Sequence, residues 1–440
     1  MSLQQPCGIH AKPATSGYLP QPMEPKRIAI LGVGDRGRLF AGLLREMGER
    51  ARLVAVADPG RKHRNAVVKE HEVPSEMIFP DWQTFCVKPP PCDAVIIATP
   101  DRQHVGPAVA CLNHGLDLLL EKPMGVSLKE CQAINAAQHN SGRIVGVCHS
   151  LRYHHAFRKV RDLIKDGAIG RVMTVDLLEQ VEIKHHAHSF VRGNWGNQSR
   201  STFMLLAKSC HDLDYLSYLI DRPCLAVNSF GHLSYFRPEN APAGATDRCT
   251  DGCPHEPTCT FSAIKQYVDT HRDKWPANVT GAQHSREAQL EFLRTGPYGR
   301  CVWKCDNDAV DHQVVAMQFA DDITATFTMT AFTAAGGRRL RVHGTLGELY
   351  FDEETITIRA FASPETQTIT PTQEQGGHGG GDRRVLADWL TALHTRDESL
   401  ILANVAESLK THTIAFAAEQ SRREKRIVNL EEMSPMTNSN

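Results

Sequence analysis

Three groups of residues in this chain have the types and spacing to do chemistry. The first is Gly32-Val33-Gly34-Asp35-Arg36-Gly37. A G-x-G-x-x-G loop that leaves a strand and opens a helix makes a phosphate site. The first glycine permits the tight turn, the second lets backbone N–H groups approach a pyrophosphate, and the third lets helix pack closely on strand. Asp58 ends the next apolar stretch, LVAVAD. A carboxylate there accepts hydrogen bonds from the adenosine ribose hydroxyls and favours NAD. Arg61 and Arg64 follow closely enough to hold a 2′-phosphate, so NADP stays open. The second group is Thr99-Pro100 and Glu121-Lys122-Pro123, each directly after an apolar run. Ligands of open α/β sheets bind beyond the carboxyl ends of the strands, which puts both segments beside a cofactor. Taken alone, a charged pair after a strand is an ordinary exposed loop start. The third group is Cys249, Cys253, Cys259, Cys301 and Cys305, in RCTDGCPHEPTC and YGRCVWKC. Their spacings, with His255 inside the first segment, suit a structural zinc held by Cys249, Cys253, Cys259 and Cys301 that clips an insertion to its domain. Reduced thiols in an ordinary subdomain and a Cys–Cys crosslink are the alternatives.

The elements that must position these groups follow from periodicity. Ile28–Leu31, the stretch ending at Asp58, CDAVIIATP, 116–120 and 144–147 read as buried strands, with helices after Gly37, over 103–113 and over 128–140. That alternation predicts about six parallel strands with helices on both faces, a Rossmann domain over residues 27–148. After His149 the alternation stops and period-two patterns take over, in VMTVDLLEQVEI, ITATFTMTAF and TITIRAF. They predict an α+β second domain over 149–430 with an open, mainly antiparallel sheet and a Cys-rich insertion at about 245–306. Residues 1–26 and 431–440 read as polar tails.

Composition narrows the class. There are 49 Lys and Arg against 50 Asp and Glu, giving a formal charge of −1, with 41% hydrophobic and 22% charged residues. That balance excludes nucleic-acid or anionic-membrane binding by bulk electrostatics and excludes a disordered chain. No apolar run approaches the ~20 residues of a membrane helix. Thirteen cysteines, an odd number, with no apolar leader-like stretch near the start, fit a reducing compartment, so the cytoplasm is the expected address. A large open sheet needs cover, so a homo-oligomer through that face is expected.

GVGDRG after an early strand, ATPDRQH, LLLEKPMG, LRYHHAF leading to DGAIGRV, and CHDLDYLSYL together resemble the Gfo/Idh/MocA family, the relatives of glucose-fructose oxidoreductase and inositol dehydrogenase. The resemblance runs from about Arg27 to Leu430. It implies an active site in the cleft between the two domains. It also implies NAD(P)-dependent hydride transfer to or from a sugar, cyclitol or related polyol. Lys122 matches the family's substrate-hydroxyl contact and His211 its conserved-type histidine, expected to act as general base or to relay the proton with Lys122. Thr99, Pro100, His104 and Glu121 join Asp35 and Arg36 on the cofactor side. Many members carry an aspartate four residues before that histidine; here the position is Ala207, followed by Lys208, a candidate substrate contact.

Arg152, Tyr153, His188, Arg192 and Trp195 are further candidates for a sugar pocket, as a mixture of flat surfaces and hydrogen-bond donors. The run GGHGGGD, with His378, reads either as backbone N–H groups that close over a substrate or as a simple turn into the helix RRVLADWLTALH. Two other functions fit the same residues: a glycosidase that oxidises, eliminates and re-reduces with a retained NAD, and an inactive NAD(P)-binding regulatory protein.

Overall fold

The computed structural model describes residues 24–270, 275–280, 285–372, 374 and 376–433. Most of both expected tails therefore lies outside the described residues. Six strands form the first sheet: β1 (Lys26–Leu31), β2 (Ala51–Ala57), β3 (Ile78–Phe79), β4 (Ala94–Ile97), β5 (Asp117–Leu120) and β6 (Val145–Val147). They pair in parallel in the order β3-β2-β1-β4-β5-β6. β4 and β5 are buried at every residue, as strands covered on both faces must be. The short edge strand β3 has too few residues to show a period and is not legible in the sequence.

The second sheet has nine strands: β7 (Val172–Gln180), β8 (Cys224–His232), β9 (His312–Phe319), β10 (Thr324–Thr330), β11 (Gly337–Gly344), β12 (Gly347–Phe351), β13 (Ile356–Ala360), β14 (Thr366–Ile369) and β15 (Val428–Asn429). Their order is β14-β13-β12-β11-β7-β10-β9-β8-β15, antiparallel except for the central β7/β10 pair. β9 alternates buried and exposed residues. Its buried face packs with Phe157, Val160, Leu213 and Leu216 of helices His155–Lys165 and Cys210–Ile220. The other face carries exposed apolar side chains, Phe230 at 63% and Val314 at 42%.

A single cut near residue 148 does not describe the packing. Helix Gly381–Thr395 returns to the first sheet, where Val385, Leu386, Trp389 and Leu390 share a core with Ile28, Ile30 and Ile96. The face of β1 and β4 needs an apolar cover, and this late amphipathic helix supplies it. Helix Val405–Glu424 then spans both domains, Val405 in the first core and Ile414, Ala415 and Ala418 in the second. The insertion has its own small core of Ala263, Tyr267, Val268 and Leu293. Among the described residues no helix is long and apolar enough to cross a membrane.

Candidate active site

The strand order reverses between β1 and β4, and the crevice at such a point is where dinucleotides bind. Gly32 has φ +87°, and a Cβ there would lie 2.5 Å from the Ala98 carbonyl oxygen. A Cβ on Gly37 would lie 1.9 Å from the Gly32 carbonyl oxygen. Both positions require glycine for the chain's own packing. Gly34 differs, since a Cβ there meets nothing within 4 Å. It caps helix Asp35–Glu46 without any side-chain hydrogen bond. Asp58 stands beside the loop: its Oδ2 accepts from the Val33 N–H at 2.7 Å and its Oδ1 from the Gly60 N–H at 2.6 Å. Arg64 donates to the carbonyls of Asp58 (2.6 Å) and Phe79 (3.3 Å), while Arg61 is exposed. Open space over Gly34, an uncapped helix end and a carboxylate at the end of β2 fit a dinucleotide. Asp35 points away and pairs with Arg38 at the surface.

Lys122 follows β5, and its Nζ donates to the Ala207 carbonyl oxygen at 2.8 Å. The backbone of Ala207 thus contacts the lysine at the position where the resemblance would place a carboxylate. The preceding Glu121 is buried, accepting from Arg36 Nε at 2.6 Å and from the Lys122 N–H at 3.1 Å. His104 differs from its expected role. It is 1% exposed, and its Nδ1 and Nε2 lie 2.6 and 2.8 Å from the carbonyls of Pro123 and Thr99. It clasps the two strand-end loops together and has no ring nitrogen left for a cofactor. The Thr99 hydroxyl donates to the Gln103 carbonyl at 3.1 Å, closing the turn that begins at Pro100.

His211 lies on the first turn of Cys210–Ile220, buried, with no hydrogen-bond partner on either ring nitrogen. Burial, and then the Lys122 charge, push its pKa well below the usual histidine value. Its ring meets those of His149 at 5.8 Å and His378 at 5.3 Å. His149, just after β6, is also fully buried with no hydrogen bond to either ring nitrogen, its Nδ1 3.8 Å from Asp214 Oδ2, and its ring stands 5.6 Å from that of His412. His412 accepts from the Met124 N–H at 2.8 Å, and burial pushes its pKa down to about 3. Neither His149 nor His412 stands in a motif, so the sequence offers no signal for this histidine cluster.

Arg36 ties the glycine loop to the far end of the chain. Its Nη1 and Nη2 donate to both oxygens of Asp382, at 2.9 and 2.8 Å. The Ser150 hydroxyl donates to the same carboxylate at 2.5 Å, and His378 Nδ1 lies 3.0 and 3.1 Å from its two oxygens. Against the cost of burial, the hydrogen bonds from Arg36 and His378 hold the Asp382 carboxyl far below the usual range. Arg36 therefore acts inside the chain, below the place a pyrophosphate would take.

The expected sugar contacts fare unevenly. Arg152 is 2% exposed and forms a two-pronged pair with Asp214 (2.7 and 2.8 Å) and a bond to the Leu402 carbonyl (2.6 Å). The Tyr153 hydroxyl accepts from the Leu402 N–H at 2.9 Å. His188 is buried against Tyr267 (2.9 Å to its hydroxyl) and stacked on Tyr298 at 4.8 Å. Arg192 donates to the carbonyls of Arg300 and Phe261, both at 2.7 Å. Arg152, Tyr153 and Arg192 are internal clasps, because each spends its polar atoms on the chain itself, and His188 spends its Nδ1. Lys208 reaches Glu179 at 2.7 Å, in a buried group with Arg338 and Asp212. Trp195 remains 39% exposed, its Nε1 donating to Asp101 at 3.0 Å.

Cys249, Cys253, Cys259 and Cys301 line one cavity of about 20 Å³. The Cys259 sulfur accepts from the Phe261 N–H at 3.3 Å, and Arg192 approaches Cys249 at 3.7 Å. All four are free thiols. Among the described residues, no group of three or more His, Cys, Asp or Glu side chains is arranged to hold a metal ion. The fold gathers the expected zinc set around this one cavity.

Comparison with known proteins identifies the fold and the family. A family model described as "Oxidoreductase family, NAD-binding Rossmann fold" matches residues 26–149, and one described as "GFO/IDH/MocA C-terminal domain" matches 157–350. YteT of Bacillus subtilis (strain 168), which carries an oxidoreductase name, is 26% identical over 79% of this chain and 83% of its own length. The scyllo-inositol 2-dehydrogenase (NAD(+)) of the same organism is 26% identical over 47% of this chain and 57% of its own. A levoglucosan dehydrogenase solved with NADH and L-sorbose superposes with a TM-score of 0.68 over 93% of this chain and 99% of that one, at 16% identity. The two matched domains, in this order and around this cleft, place the chain in the Gfo/Idh/MocA family of NAD-binding oxidoreductases.

Proposed function

We propose that the protein is an NAD-dependent dehydrogenase that moves a hydride between the nicotinamide and a carbinol carbon of a sugar, cyclitol or related polyol. One observation carries this reading: Lys122 Nζ is held at the carboxyl edge of the first sheet on the carbonyl of Ala207, four residues before His211, whose ring nitrogens have no hydrogen-bond partner. The bound dinucleotide supplies the hydride acceptor. The glycine loop holds its pyrophosphate through backbone N–H groups, and Asp58 takes the ribose hydroxyls. Arg64 is already committed to two carbonyls, which favours NAD over NADP. Lys122 donates to the reacting oxygen and orients the carbinol, and His211 offers a neutral ring to a neighbouring hydroxyl. Relatives named as inositol dehydrogenases support the polyol class. The open face of the second sheet, with Phe230 and Val314 exposed, supports a homo-oligomer joined there.

The test is a panel of inositols, aldoses and keto-sugars with NAD+ or NADH, read as nicotinamide absorbance. Substrate-dependent turnover that falls at least about 100-fold in Lys122→Ala, with NADH still bound, is the expected result. Full activity in that variant would remove Lys122 from the reaction.

A further inference from the structure

We infer that His378, paired with Asp382, is the residue that takes the substrate's hydroxyl proton. The inference rests on the dehydrogenase reading above and assigns a step which that reading leaves open. Two histidines face each other at 5.3 Å, and their surroundings differ. His211 is 4% exposed, has no anionic partner, and lies within the field of Lys122. An imidazole in that position gains little by accepting a proton. His378 is 36% exposed and has its Nδ1 on the Asp382 carboxylate. An anion at Nδ1 fixes the tautomer with Nδ1 protonated and Nε2 free to accept, and it stabilises the imidazolium that results.

The carboxylate is well fixed. Arg36 grips both its oxygens and Ser150 donates to one of them. Arg36 also serves Glu121, so two carboxylates share one guanidinium, and one of them, Asp382, meets His378 Nδ1. The same Arg36 belongs to the cofactor loop, and Glu121 adjoins Lys122. The dyad is thereby tied in register to both partners of the reaction. His378 sits at φ +47° between Gly377 and Gly379, a left-handed conformation that is costly for a residue with a side chain. The loss of the family-type carboxylate at Ala207 is offset by this Asp382, supplied from the other end of the chain.

In the oxidising direction the carbinol carbon gives its hydrogen, with the bonding electron pair, to the nicotinamide. The C–O single bond becomes C=O and the hydroxyl proton moves to His378 Nε2, from which water removes it. The substrate is oxidised and NAD+ is reduced, and no further reactant is needed. Besides Asp382 and Arg36, the titratable groups facing His378 are His211 and His154.

The experiment uses the full chain with NAD+ and a panel of myo-inositol, scyllo-inositol, D-glucose and D-xylose. His378→Asn is the main variant because asparagine tolerates a left-handed φ, and an unchanged Tm confirms that it folds. It is expected to lower kcat by about 100-fold or more and to leave the NADH dissociation constant within threefold. In ¹⁵N-histidine spectra of the NADH complex, His378 should carry its proton on Nδ1, and Asp382→Asn should erase that preference. A His378→Asn enzyme within threefold of the parent kcat overturns the inference. If the parent binds NADH yet oxidises nothing in the panel, the polyol reading fails separately. The spectra then decide the dyad, and a mixed tautomer at His378 refutes it.

Discussion

Gly34→Ala separates the requirements of the fold from those of the cofactor. Gly34 has φ −65° and ψ −158°, a conformation open to alanine, and its added Cβ would meet nothing within 4 Å. Replacing glycine by alanine at a helix N-cap costs a few tenths to about 1 kcal/mol. Restricting the unfolded chain returns about 0.4–1 kcal/mol. The two nearly cancel, so the unfolding free energy should change by less than about 0.5 kcal/mol. Binding should respond differently. The vacant space is where a pyrophosphate must approach the loop backbone, and a methyl group there holds it away from the N–H groups that bind it. Losing about 3 kcal/mol of that contact weakens NAD binding by roughly 100-fold. Urea denaturation without cofactor gives the first quantity and NADH fluorescence titration the second. A variant that binds NADH within threefold of the parent would refute the placement of the pyrophosphate. A loss of stability above about 1 kcal/mol would show that the open space over Gly34 serves the fold.

Gly37→Ala should behave in the opposite way, because its Cβ would sit 1.9 Å from the Gly32 carbonyl oxygen. Backbone must move, and a loss of several kcal/mol, read as a lowered Tm without cofactor, is expected. Arg152→Met leaves Asp214 buried without its partner and should cost about 3–5 kcal/mol in urea denaturation, with KM for the sugar unchanged in the folded fraction. An increase in KM at unchanged stability would return Arg152 to the substrate pocket. Burial pushes His186, His188 and His412 down to about 3, below the unfolded value near 6.5. The unfolded chain therefore binds more protons below that value. Stability is fully present above about pH 6.5 and is lost as pH falls toward 3, with a slope of up to about 1.4 kcal/mol per unit for each such histidine. Urea midpoints from pH 7.5 to 5 measure this, and His412→Gln should flatten the slope; an unchanged slope would exclude His412 as a contributor.

The sequence by itself determined whatever depends on local pattern. A strand–GVGDRG–helix unit, Asp58 at the end of β2 and Glu121-Lys122 at the end of β5 are each legible within a few residues. The parallel sheet follows from near-continuous apolar strands, and the second sheet from alternation such as that of β9. Tertiary structure alone decided which polar residues face the cleft. Arg152, Tyr153 and Arg192 have the composition of a sugar site, yet each spends its donors and acceptors on backbone or buried partners far away in sequence, and His188 is committed through Nδ1. His104 becomes a clasp for the same reason. Conversely, His378 and Asp382 reach the site only because helix Gly381–Thr395 returns to cover the first sheet, where Arg36 meets them across 346 residues of chain. Side-chain types fix what chemistry is available, but a hydrogen-bonding group serves the site only if folding leaves one of its atoms unpaired there, and that depends on contacts no local pattern records.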